Sequence, residues 1–156
     1  MARASFPAVP TSYKVLLFLH ILSVVVAFAP ASVHPLLTKQ FGSDRPMLQR
    51  FAGFASQNGR RVYSPALLLA GLFGILLLVT QDGKQFDFDQ TWVNLALLVW
   101  IAMNGVVHGM ILPNERKLGQ GDDSAEKKVD LGGMLVTLLF LVMMYLMVFR
   151  PGQVGY

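Results

Sequence analysis

Four apolar runs dominate the chain, at about 13–34, 64–80, 91–112 and 131–149. Crossing the roughly 30 Å hydrocarbon core of a bilayer as a helix takes about 20 residues, at about 1.5 Å of rise each. Three of the runs meet that length, and 64–80 is short enough to need an extension or little tilt. No water reaches backbone groups inside a bilayer, so such segments are viable only as helices or as strands of a closed barrel. Here the apolar residues run continuously instead of alternating, which selects helix. The expected fold is therefore all-α, a transmembrane four-helix bundle forming a single integral membrane domain over 1–156. Composition agrees: 54% of residues are hydrophobic and only 14% charged, against about 25% charged in a typical soluble domain.

Local signals set the boundaries. Ser64 reads as an N-cap with Pro65 at the first helical position, where a missing N–H costs nothing. Pro113 reads as the end of the third span, and Arg150-Pro151-Gly152 as the end of the fourth. The first connection carries Lys39, Arg45, Arg50, Arg60 and Arg61 against one acid, Asp44. Asp44 can cap a helix starting at Pro46, in which Met47, Leu48, Phe51, Phe54 and Ala55 share a face. That pattern predicts an interfacial amphipathic helix between spans 1 and 2. The second connection is short and acidic, with a turn at Asp82-Gly83; the third contains Gly119-Gln120-Gly121-Asp122-Asp123 and reads as a loop.

Lysine and arginine set orientation. The first and third connections share one side and hold nine of them; Arg3, Lys14, Lys84 and Arg150 make four on the other. This predicts cytoplasmic first and third connections, with both termini outside. The net charge of +4 is thus a matter of membrane orientation and not a nucleic-acid footprint. Arg3, Lys14 and Ala27-Phe28-Ala29 imitate a signal peptide, but Pro30 would follow the cut, so the run is expected to stay as the first helix.

The chain has no cysteine, which removes disulfides, thiolate metal sites, iron–sulfur clusters and cysteine nucleophiles. No phosphate-cradling glycine loop, paired carboxylates within a span or nucleophile–base motif can be read, so no catalytic residue is assigned. Polar residues inside the spans are costly and come first as candidates. His20, His34 and His108 are the candidate ligands for a b-type haem; no metal set is read. His20 and His34 are 14 apart and return to nearly one helix face, a spacing that resembles the paired haem ligands of respiratory cytochrome b. No second helix carries such a pair. His34 and His108 fall near the same end of the bundle, where they can meet. Asn94, Asn104 and His108 form a polar stripe expected to face the interior. Gly105 and Gly109 make a G-x-x-x-G on the same span, with Gly71 and Gly74 on the second, all expected at close helix contacts. Met134, Met143, Met144 and Met147 are expected to pack, and Asp130 with Lys127 and Lys128 to form an interfacial charge cluster.

The stretch Tyr13-Lys14-Val15-Leu16-Leu17-Phe18-Leu19-His20-Ile21-Leu22-Ser23, continued by Ala27-Phe28-Ala29-Pro30 and His34-Pro35-Leu36-Leu37, resembles the opening of a family of small bacterial integral membrane proteins of unknown function. That family is distantly similar to four-helix membrane protoporphyrinogen oxidases and to copper-resistance membrane proteins. The resemblance implies a multi-pass protein of the bacterial plasma membrane, and His20 matches the first-helix histidine implicated in haem binding. The lysine those oxidases use in a later helix has no counterpart in the third span.

The expected function is a non-catalytic membrane subunit or accessory protein, partnered by the bilayer and by other membrane subunits or a second copy. The alternatives are a haem-binding redox protein using His20 and, more remotely, an oligomeric transporter.

Overall fold

The computed structural model describes residues 10–80 and 88–152. Their regular structure is entirely helical, and four helices are long and apolar enough to cross a membrane: Thr11–Phe41, Arg45–Thr80, Thr91–Gly119 and Asp123–Phe149. The all-α four-helix bundle with the plan of a multi-pass membrane protein is thus present. The Asp82-Gly83 turn, Lys84, Asp87 and Arg3 lie outside the described residues.

Helix α1 (Thr11–Phe41) runs through Pro30 and Pro35 and ends one turn or more beyond His34. Prolines are tolerated inside membrane-type helices because local adjustments and neighbouring groups can re-satisfy the carbonyls they free. A turn at Gly42-Ser43 leads to Asp44, whose carboxylate accepts from the Met47 N–H at 3.1 Å and caps α2 (Arg45–Asn58) as anticipated. The continuation differs from the sequence expectation. Instead of a separate interfacial segment, α2 passes through a π-turn, Gly59–Tyr63, directly into α3 (Ser64–Thr80). Ser64 is therefore not a cap; its N–H donates to the Gly59 carbonyl inside the continuous helix.

The third span repeats this device. Helix α4 (Thr91–Val106) enters a π-turn, Val107–Ile111, and continues as α5 (Leu112–Gly119). Pro113 does not close the span. In both helices a proline stands two residues past the π-turn, Pro65 after Tyr63 and Pro113 after Ile111. A proline ring pushes against the carbonyl four residues back and offers no N–H. The wider turn absorbs that conflict, so each helix bends around its proline and does not stop.

Helix α6 (Glu126–Phe149) starts a turn before the apolar run, behind a 3₁₀ turn at Asp123–Ala125. The Ser124 hydroxyl and amide both donate to the Asp122 carboxylate, and these bonds hold it below the usual carboxylate range. The helix stops at Arg150, which adopts the left-handed conformation at φ 45° ahead of Pro151.

Helix α1 packs chiefly on α3, and α4 on α6. The central core layer takes one buried residue from each: Phe28, Leu67, Met103 and Val136. Phe28 stacks on Phe140 with centroids 4.2 Å apart. The two pairs are joined by Trp100, whose indole donates to the Leu67 carbonyl at 2.9 Å while its ring covers Gly71 so closely that a Cβ there would overlap it. Below the apolar layer, α2 packs on α5, with Leu48, Ala52, Ala55 and Leu118 almost fully buried. Of the amphipathic face seen in the sequence, Leu48 and Ala55 are buried and Phe51 stands edge-on to His34 and Phe41 of α1, while Met47 and Phe54 stay exposed.

Candidate functional site

The three histidines fall into three different environments. His20 on α1 places Nδ1 2.8 Å from the Ala70 carbonyl of α3, and its ring rests on Gly74, where a Cβ would stand 3.3 Å from Cε1. A carbonyl only accepts, so Nδ1 carries a proton, and in the neutral ring Nε2 is the bare nitrogen. His108 on the second π-turn is saturated: Nδ1 donates to the Asn104 carbonyl at 2.9 Å, and Nε2 accepts from the Ser64 hydroxyl at 2.6 Å. His34 stands apart from both, 3.8 Å from the Glu115 carboxylate and edge-on to Phe51 and Tyr63. His34 and His108 share an end of the bundle, as depth arguments predict, but each engages different partners and they are not brought together.

Ser64 and His108 have the reach of a nucleophile and its base, with a third group orienting the imidazole. The backbone argues against such a role. Ser64 lies within a continuous helix, and its own N–H, which would have to face a developing oxyanion, is spent on the Gly59 carbonyl. The hydroxyl is buried as well. The pair is a tether between the two π-turns.

Glu115 is the functional-looking residue that sequence reasoning missed. It is 5% exposed, among the most buried polar residues described, and a Cβ at Gly59 would stand 3.8 Å from its Oε2. At 3.8 Å its contact with His34 is an ion-pair distance, too long for a hydrogen bond. Leu112, Glu115 and Leu118 recur every third residue and all three are buried. That apolar-flanked spacing is the signal that could have marked Glu115. Beside it Ser56 donates to the Leu112 carbonyl at 3.3 Å.

The polar stripe on the third span divides. Asn94 is exposed and bonds locally to the Phe88 carbonyl, so it does not face the interior. Asn104 is half-buried; its amide donates to Trp100 O, and its Oδ1 is buried with no hydrogen-bond partner. The glycines divide too. Gly71, Gly74, Gly119 and Gly132 each face a close neighbour from another helix, whereas a Cβ on Gly105 or Gly109 would meet nothing within 4 Å. Met134 and Met144 project outward on α6. Among the described residues no three His, Asp or Glu side chains gather as a metal set.

Compared with models of known protein families, with curated proteins and with solved structures, the chain matches none. What the site can do rests on its own geometry.

Proposed function

We propose that this chain is a non-catalytic integral membrane subunit or accessory protein that packs against a larger membrane complex through the outer face of α4. The observation that carries this reading is the contrast among glycines. Gly59, Gly71, Gly74, Gly119 and Gly132 are explained by what they touch; Gly105 and Gly109, like Gly133 on α6, meet nothing, and the first two stand four apart as a paired small-residue surface. Leu98 and Ile101 extend the same exposed face, at 61% and 59%. Lipid chains are as apolar as leucine, so a lipid-facing surface has no use for glycine, while a partner helix does. The sparseness of catalytic groups favours the same reading. In this proposal the protein lies in a bacterial plasma membrane with both termini outside; the nine basic residues of the two connections, set against four elsewhere, support that orientation.

Mild-detergent affinity purification with native gels and mass spectrometry tests it. Co-migration with a second subunit, lost in Gly105→Leu without loss of helicity, is expected. Migration as a lone 17.2 kDa species sinks the reading. The cysteine-free chain also suits single-cysteine labelling from either side of the membrane, which reads the orientation directly.

A second reading, b-type haem at His20, has one observation in favour: the Ala70 carbonyl fixes the tautomer that leaves Nε2 bare, the orientation a ligating histidine needs. The described residues do not fit a bis-histidine haem, because His108 has both nitrogens engaged and His34 is held at Glu115. A redox difference spectrum of the purified protein, with His20→Ala as control, decides it.

A further inference from the structure

Where α2 meets α5 the two backbones touch at glycines: a Cβ on Gly119 would stand 2.7 Å from the Cα and N of Gly53. With no side chain between them, this contact floors an open groove of about 360 Å³. Its walls are Gln57, Arg60 and Arg61 from one helix and Arg116 and Gln120 from the other. No Asp or Glu lines it. Neither the Arg45–Glu126 ion pair nor the His34–Glu115 contact, the acid–base contacts within 4 Å among the described residues, takes in any of the three arginines. Glu115, the nearest buried acid in sequence, is turned toward Gly59 and His34.

We infer that this groove is a binding site for a phosphate-bearing anion. Three observations point there together. Three arginines from two helices line one concavity. Every charged group in the lining is arginine, whose planar fork matches phosphate oxygens two at a time. Gln57 and Gln120 also line it, and a glutamine amide is a neutral donor of the kind that can hold remaining oxygens. Orientation by positive charge needs only a count of Lys and Arg on one side. It does not need them gathered in a groove, nor the glycine contact that opens it. The position adds a constraint. Arg60 and Arg61 stand one turn outside the apolar run that begins at 64, and Arg116 one turn outside the run that ends at 112. That is the depth of lipid phosphates, and basic pockets between spans at that depth hold anionic headgroups. A soluble phosphate compound entering from water presents the same chemistry.

The test uses the full chain in nanodiscs of zwitterionic phosphatidylcholine doped with phosphatidylglycerol or phosphatidate, with retained lipid counted by native mass spectrometry. Inorganic phosphate is titrated separately into pure phosphatidylcholine nanodiscs by calorimetry. The wild-type chain is expected to retain the anionic lipid preferentially. Replacing all three arginines (Arg60→Gln, Arg61→Gln, Arg116→Gln) should weaken that retention by about 100-fold at low salt, from roughly 1 kcal/mol per basic residue. A charge-matched variant outside the groove (Lys39→Gln, Lys127→Gln, Lys128→Gln) should retain the lipid like wild type. Circular dichroism checks that both variants are folded. Preferential anionic-lipid retention, lost in the triple arginine variant, with no phosphate binding identifies a headgroup site; saturable phosphate binding lost in the triple arginine variant identifies a soluble ligand; either supports the inference. No preference for anionic lipid together with no phosphate binding overturns it. So does an equal loss in the charge-matched variant, which would mean net charge alone attracts the lipid.

Discussion

Where α2 lies against α5, side chains are buried as in a soluble domain: Leu48 is 1% exposed, Leu118 2% and Ala55 2%, and they sit among Ser56, Asn114 and Glu115. In the apolar layer, where α1, α3, α4 and α6 pass one another, the core cluster takes a single buried residue from each helix, and leucines and valines cover the outside. In the proposed membrane setting the difference follows from solvent. Outside the apolar runs water drives apolar faces together. Within them lipid removes that drive, and contact depends on close backbone approach and a few interhelical hydrogen bonds. The Trp100–Leu67, His20–Ala70 and His108–Ser64 bonds are of that second kind. One pair of helices therefore serves two regimes, and a π-turn marks the boundary in each.

Truncation should separate the regimes most strongly. Leu118→Ala removes buried surface from water and leaves a cavity, a loss of about 3 kcal/mol. Met103→Ala, equally buried in the apolar layer at 1% exposed, forfeits mainly packing and should lose roughly half as much. Denaturation in mixed micelles followed by circular dichroism gives both values. Equal losses would erase the distinction.

Glycine substitutions come next. Gly119→Ala drives a methyl into the backbone of Gly53 and should destabilise by about 2 kcal/mol, since backbone cannot swing aside as a side chain does. Gly105→Ala meets open space and should leave the isolated chain as stable or slightly more so, because alanine favours helix by up to about 1 kcal/mol. Its cost should appear only as weaker co-purification of a partner. A destabilised Gly105→Ala monomer would show that α4 is already covered.

Trp100→Phe keeps a ring over Gly71 and loses the bond to the Leu67 carbonyl. Interhelical bonds in bilayers average about 0.6 kcal/mol, so a small drop in the same denaturation assay is expected. A loss as large as that of Leu118→Ala would mean that one hydrogen bond, and not packing, holds the two helix pairs together.

Much of the fold was legible because it rests on local signals. The apolar run at 64–80 is helical and ends at Thr80, the last helix ends at Phe149, the Asp44 cap is present, and Gly71 and Gly74 lie at close contacts. What escaped depends on partners far along the chain. Gly59, Arg60 and Arg61 look like a loop, and Pro113 looks like a stop, until α2 and α5 brace each other across both π-turns. Glu115 sits in Asn-Glu-Arg-Lys, a run that reads as solvated, yet it is buried beside Gly59 and His34, 56 and 81 positions earlier. Asn94 and His108 share a helix face with Asn104, but periodicity alone does not say which part of a face is covered.

The smallest effect belongs to the exposed link between the start of α2 and the start of α6. Arg45 pairs with Glu126, with side chains 48% and 33% exposed, and Gln49 bonds Asp123 nearby at 3.3 Å. The Glu126 carboxylate holds the Arg45 charge firmly in place, but solvent and salt screen an ion pair this open. Arg45→Gln should shift the thermal unfolding midpoint barely at all in low salt and not at all in high salt, because the α2–α5 end is held by Leu48, Leu118 and the Gly53–Gly119 contact. A salt-dependent loss comparable to that of Gly119→Ala would reverse the argument. The polar end would then be clamped by charge, and its dense packing would be a consequence of the clamp.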